Sequence, residues 1–202
     1  MRDMINQTAR RIPAWTIYLA AALAAVWLIS NASSGAYGPD PVKALEKGLG
    51  ERGLQVLIAT LVITPLRWWG INLLKFRRAL GLVGFGFIAL HFAAWIVLDM
   101  GLRWSEVLND LYKRPYIIVG FGAFMGLIPL AVTSNNRSLR RLGGAAWRKL
   151  HWLGYPAILA GAVHFVMIGK IYTVESGLYL AGVVALLAVR MARSRSLTLI
   201  PA

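Results

Sequence analysis

The sequence predicts an all-α, polytopic membrane protein: a six-transmembrane-helix bundle with both termini in the cytoplasm. Three observations predict it. Hydrophobic residues make up 58% of the 202 residues, charged residues only 15%, and mean hydropathy is +0.60, whereas soluble domains run nearer a quarter charged. The apolar residues form six continuous blocks, each near the ~20 residues that cross a bilayer as a helix, rather than the alternation of a β-barrel. The basic residues collect on one side of those blocks.

Taken in order, the first block, about 14–32, follows Arg10 and Arg11. It is long for a signal-peptide core and lacks a convincing cleavage site, although Ala32-Ser33-Ser34-Gly35 comes near one, so it reads as a retained anchor. Residues 33–53 form the longest loop, with Asp40-Pro41-Val42-Lys43 as a turn entering a short interfacial helix. The second block, 54–70, is short and holds Thr64-Pro65, which predicts a kink or early exit. The third, 79–99, carries His91; the fourth, 115–133, opens on Arg114-Pro115-Tyr116, with proline suited to a first turn. The fifth, 150–168, carries His151 and His164 with Pro156 between them, and the sixth covers 176–192. No linker interrupts them, so residues 1–202 read as a single domain.

The loops set the orientation. Arg2, Arg10, Arg11, Arg67, Lys75, Arg77, Arg78, Arg137, Arg140, Arg141, Arg148, Lys149, Arg190, Arg193 and Arg195 share one side; Lys43, Lys47, Arg52, Arg103, Lys113, Arg114 and Lys170 take the other, with every acidic residue except Asp3. The positive-inside rule places the richer side in the cytoplasm. The net charge of +14 is then a topology signal facing anionic lipid, and nucleic-acid binding is discarded. The absence of cysteine excludes disulfides, iron–sulfur clusters and thiolate zinc sites.

Chemistry is concentrated in three histidines, all in strongly apolar sequence. An ionisable side chain in hydrocarbon is costly and should face the protein interior. His91 lies about eight residues from the outer end of the third helix and His164 about five from that of the fifth, a difference of roughly 4–5 Å along an axis. Two imidazoles at one depth on different helices can take the two axial positions of a heme iron; the plainer reading of either is a helix-to-helix hydrogen bond.

His151 lies 13 residues from His164, ~20 Å along the axis, and cannot share its iron. A second heme would need a partner near positions 77–79, which are Arg77, Arg78 and Ala79, so no second bis-histidine site can be built. His151 is left as an axial ligand of another kind or as a propionate, flavin or quinone contact.

Other features have a plain and a functional reading. Arg77, Arg78 and Arg148 are topology determinants, or cations for a phosphate or propionate beside His151. Glycines on the third to fifth helices, including Gly84, Gly120 and Gly122-x-x-x-Gly126, allow close helix packing or make room for a flat macrocycle. Phe87, Phe92, Trp95, Trp152 and Phe165 would line a heme pocket, though membrane helices are aromatic in any case.

Several stretches carry a resemblance: GPDPVKALEKGLG (38–50), ATLVITPLR (59–67), RRALGLVGFGFIALH (77–91), KRPYIIVG (113–120), LAVTSN (130–135), LGGAAWRKLHWLGY (142–155) and AVHF (162–165). In them the chain resembles the ferric-reductase-like transmembrane domain shared with NADPH oxidases, and more closely the MsrQ (YedZ) family of bacterial heme-binding membrane subunits. The resemblance implies a multi-pass protein of the bacterial inner membrane with a b-type heme, and an associated FMN. Electrons would arrive from a cytoplasmic flavin reductase or the quinone pool. They would leave to a periplasmic molybdopterin-containing methionine sulfoxide reductase that repairs oxidised proteins. By position, His91 and His164 would be the axial pair and His151 the third family histidine. The oxidases carry a histidine where arginines stand here, so a flavin would bridge the cytoplasmic half.

No G-x-G-x-x-G follows a strand, and no residues remain for a nucleotide-binding domain. Such a chain is an electron-transfer subunit rather than a complete catalyst. Two other readings stay open: a stand-alone transmembrane ferric or quinone reductase, and a non-redox transporter or scaffold with histidines as polar glue. Against the last, no acidic residue lies well within a predicted span.

Overall fold

Asp40 starts the longest helix among the described residues. Its carboxylate accepts the Lys43 backbone N–H at 3.2 Å, and Pro41 fills the first helical position, where no N–H is needed. In the computed structural model, which describes residues 1–169 and 173–198 and the side chains up to 193, this helix runs unbroken over Pro41–Trp68. The expected loop over 33–53 therefore shrinks to 34–40, and the short interfacial helix expected after Asp40 is the start of this same helix, an extension continuous with the second span. Leu45 and Leu49, one turn apart, are buried, while Lys43 and Lys47 point out. That amphipathic stripe anchors the extension, and its charges hide it from a hydropathy reading.

Among the described residues there are nine α-helices and no strand: α1 Arg2–Arg11, α2 Trp15–Ser33, α3 Pro41–Trp68, α4 Arg77–Ala94, α5 Trp104–Lys113, α6 Pro115–Val132, α7 Asn136–His151, α8 Gly154–Ile168 and α9 Val174–Thr198. A 3-10 turn, Leu74–Phe76, leads into α4 and a π-turn, Trp95–Asp99, ends it. Among the described residues, six helices or joined helices are long and apolar enough to cross a membrane. Lys170, assigned above to the outer side, lies outside the described residues.

The fifth predicted span is divided. His151 ends α7, and α8 begins at Gly154 after a turn in which Trp152, Leu153 and Tyr155 bond to carbonyls three residues back. Pro156 therefore sits in the first turn of α8 and not in the middle of a bent helix. Apolar residues continue through this turn, which concealed it. The loops before and after the fourth span also contain α5 and α7, and α7 is itself broken at Gly143 (φ 74°, ψ 155°), a conformation open to glycine.

Two groups of helices share α3. Leu28, Leu45, Leu49, Val83 and Phe87 join α2, α3 and α4, whereas Leu54, Leu57, Leu61, Leu127, Ile158 and Val183 join α3, α6, α8 and α9. α3 and α4 approach closely because they are glycine-notched: a Cβ on Gly53 would stand 2.6 Å from Ile88, and one on Gly84 2.8 Å from Leu57. Of the expected Gly122–Gly126 packing pair, only Gly126 meets a neighbour, Ala157 at 3.5 Å; Gly122 faces open space.

The two ends of the bundle differ in charge. Asp40, Asp99 and Arg114 mark a mixed-charge end. At the opposite, basic end, Asn6 ties α1 to Gly70 and Asn72, and Arg78 ties α4 to Asn136 of α7. Pro65 leaves the Leu61 carbonyl without its helical N–H, and Arg190 of α9 donates to that oxygen while its other nitrogen reaches Tyr155 Oη at 3.0 Å.

Candidate functional site

Between α3, α4, α6 and α8 lies a cavity of about 470 Å³, open toward the mixed-charge end. Phe92, Phe121 and Phe124 form one wall, with the Phe92 and Phe124 rings 4.7 Å apart, and Leu57 and Ile158 face them. Of the aromatic residues expected there, Phe92, Trp95 and Phe165 line the cavity. Phe87 is instead buried between α2, α3 and α4, and Trp152 is 68% exposed.

His91 of α4 and His164 of α8 enter this cavity from opposite sides, their ring centres 6.3 Å apart and their planes at 69°. His91 Nδ1 donates to the Glu46 carbonyl at 2.8 Å, and His164 Nδ1 to the Tyr116 carbonyl at 2.7 Å. A carbonyl oxygen only accepts, so each neutral ring carries its proton on Nδ1 and its lone pair on Nε2. This is the arrangement that orients a metal-ligating histidine.

The spacing can be compared with what an iron needs. Two metal–imidazole bonds of roughly 2 Å, with roughly 1 Å from each nitrogen to its ring centre, put the centres about 6 Å apart. Among the described residues no three His, Cys, Asp or Glu side chains gather to hold a bare ion. Two imidazoles lining an apolar, aromatic-walled cavity would suit a metal whose remaining ligands come from a flat macrocycle. A b-type heme therefore fits the donor set.

His151 stands elsewhere. Its Nε2 is 3.2 Å from Thr133 Oγ1, and its ring stacks on Trp147 with centres 3.7 Å apart. The charges of Arg77 and Arg78 act on it. Arg148 extends over Gly144 of its own helix and is exposed. The fold thus gathers His151, Arg77 and Arg78 at the basic end and leaves Arg148 at the surface.

Sequence reasoning missed Glu46 and Tyr116, which serve through backbone carbonyls, and Gly50, which lies against His91. Backbone acceptors have no signature in residue identity. Only Gly120, noted above among the glycines, could have pointed to its place beneath His164.

The family model for ferric reductase-like transmembrane components matches residues 50–162, more than half of the chain, and places this helical bundle with its histidine pair in the ferric-reductase-like class. Within that class the chain belongs to the MsrQ family. The protein-methionine-sulfoxide reductase heme-binding subunits MsrQ of Brucella ovis, Brucella canis and Brucella suis are each 46% identical to it over 180 residues, covering 89% of this chain and 81% of the relative.

Proposed function

We propose that this chain is a heme b electron-transfer subunit of the bacterial inner membrane, passing electrons to a periplasmic methionine sulfoxide reductase that repairs oxidised proteins. The observation that carries the reading is the His91–His164 pair, each ring held at Nδ1 by a carbonyl with Nε2 left to bind. When bound, the heme supplies a one-electron couple inside the bilayer. His91 and His164 would hold the heme through Nε2, the Phe92, Phe121 and Phe124 wall would exclude water from it, and the slot opens toward one membrane face.

Orientation follows from charge. The basic end, with α1, α7 and the last described turn of α9, faces the cytoplasm, and the mixed-charge end faces the periplasm. The heme then lies nearer the periplasmic acceptor, a molybdopterin subunit in the family reading, and residues 1–202 act as one transmembrane domain. Electrons enter from a cytoplasmic flavin reductase or from membrane quinone. Arg77 and Arg78 beside His151 provide cations for the phosphate of an FMN or for a propionate on the donor side. Arg148 joins them only if α7 turns its exposed face inward.

A stand-alone ferric or quinone reductase is favoured by one finding, the ferric reductase-like match; it shares the heme and differs in its acceptor. A non-redox transporter or scaffold would leave the paired Nε2 atoms without use. Purified protein tests the choice. A Soret band that shifts on reduction supports the heme, and electron transfer to a periplasmic methionine sulfoxide reductase, rather than to ferric chelates or quinones, supports the acceptor. A colourless protein that takes up no added heme overturns the proposal.

A further inference from the structure

The two histidines are seated by the same device on two different helices. His91 reaches the carbonyl of Glu46 on α3, and four residues later stands Gly50; His164 reaches the carbonyl of Tyr116 on α6, and four residues later stands Gly120. In a helix the N–H of residue i+4 already bonds the carbonyl of residue i, and an imidazole can use only its second lone pair. To reach it, the ring must lie where the side chain of residue i+4 would begin. A Cβ on Gly50 would stand 3.0 Å from His91 Nδ1, and one on Gly120 2.6 Å from His164 Nδ1. Neither glycine has a positive φ, so backbone conformation does not demand it; the imidazole does.

We infer that Gly50 and Gly120 are positioning residues for the axial pair, each opening a carbonyl seat that fixes its ring and together holding the planes crossed. The inference rests on the heme reading. An Nδ1–H···O=C bond makes the imidazole a stronger electron donor and favours ferric over ferrous iron. Losing the seat therefore raises the reduction potential and frees the ring to turn. Crossed imidazole planes give a low-spin ferric signal of large g anisotropy, which reports that angle directly.

The test uses the full-length protein purified with its native heme, as wild type, Gly50→Ala, Gly120→Ala and Gly122→Ala. Gly122 shares α6 with Gly120 but faces open space. Gly120→Ala is expected to weaken heme retention on the order of 10–100-fold, to raise the potential of the heme that remains, and to reduce its g anisotropy. Gly50→Ala, with the looser contact, moves the same readouts in the same direction by less, and Gly122→Ala leaves them at wild type. A general packing defect would lower the yield of folded protein without moving the potential of the heme retained. If Gly120→Ala does not accumulate, Gly50→Ala decides alone: wild-type potential and signal in that variant overturn the inference. His91→Ala and His164→Ala separate this failure from that of the heme reading. Full heme in both defeats the assignment of the histidine pair on which the inference rests, whereas heme loss in both beside unaltered glycine variants defeats only the seats.

Discussion

His91 and His164, at one level of the bundle, and His151, near the basic end, are the same side chain put to opposite use. The first two give Nδ1 to a backbone carbonyl and keep Nε2 for the cavity. His151 has Nε2 itself against the Thr133 hydroxyl and one face against Trp147. A free lone pair needs its ring fixed by the other nitrogen, and helix backbone supplies that where glycine lets the ring approach. A ring engaged by a hydroxyl and an indole at the basic end is suited to shaping a polar site. The lesson is that a histidine's partner at one nitrogen, more than its depth, decides whether the other nitrogen is left open to the cavity.

The largest expected effect breaks the pair. His91→Ala or His164→Ala should each lose nearly all bound heme, read as Soret absorbance per chain, because one imidazole alone leaves the opposite axial position empty. Near-normal heme in either variant would erase the distinction between the two regions. Next, Arg77→Gln combined with Arg78→Gln should lower co-purifying flavin several-fold while heme stays, since removing two cations weakens any phosphate contact there; loss of heme with flavin retained would reverse the two assignments.

Arg190→Leu comes third. It removes the donor to the Leu61 carbonyl and to Tyr155, and should cost roughly 1–3 kcal/mol of stability in a thermal unfolding assay, with the heme spectrum of the folded fraction unaltered. The smallest effect is expected for His151→Ala, which should keep its heme content and Soret position. A loss comparable to that of His91→Ala would make His151 a ligand after all and collapse the comparison.

Much of this was legible in residue order. Hydropathy located the six spans, and counting from the loops put His91 and His164 at one level, because both depend on spacing along a chain of known rise. The helical extension of α3 was not legible: Lys43, Glu46, Lys47, Glu51 and Arg52 depress its hydropathy although Leu45 and Leu49 are buried. Nor was the turn between His151 and Gly154, where apolar residues continue through a change of direction. Arg190 read as a topology cation at the end of the sixth span and proved to turn inward, drawn by the carbonyl that Pro65 leaves unpaired.

What the amino-acid sequence determined alone was the helical membrane class and the six candidate spans, since these follow from transfer free energies that each residue brings with it. Tertiary structure alone decided that two imidazoles face one another across 6.3 Å with their lone pairs on Nε2. That outcome depends on carbonyls of Glu46 and Tyr116 brought from other helices, and a backbone acceptor is the same atom in every residue until packing selects it.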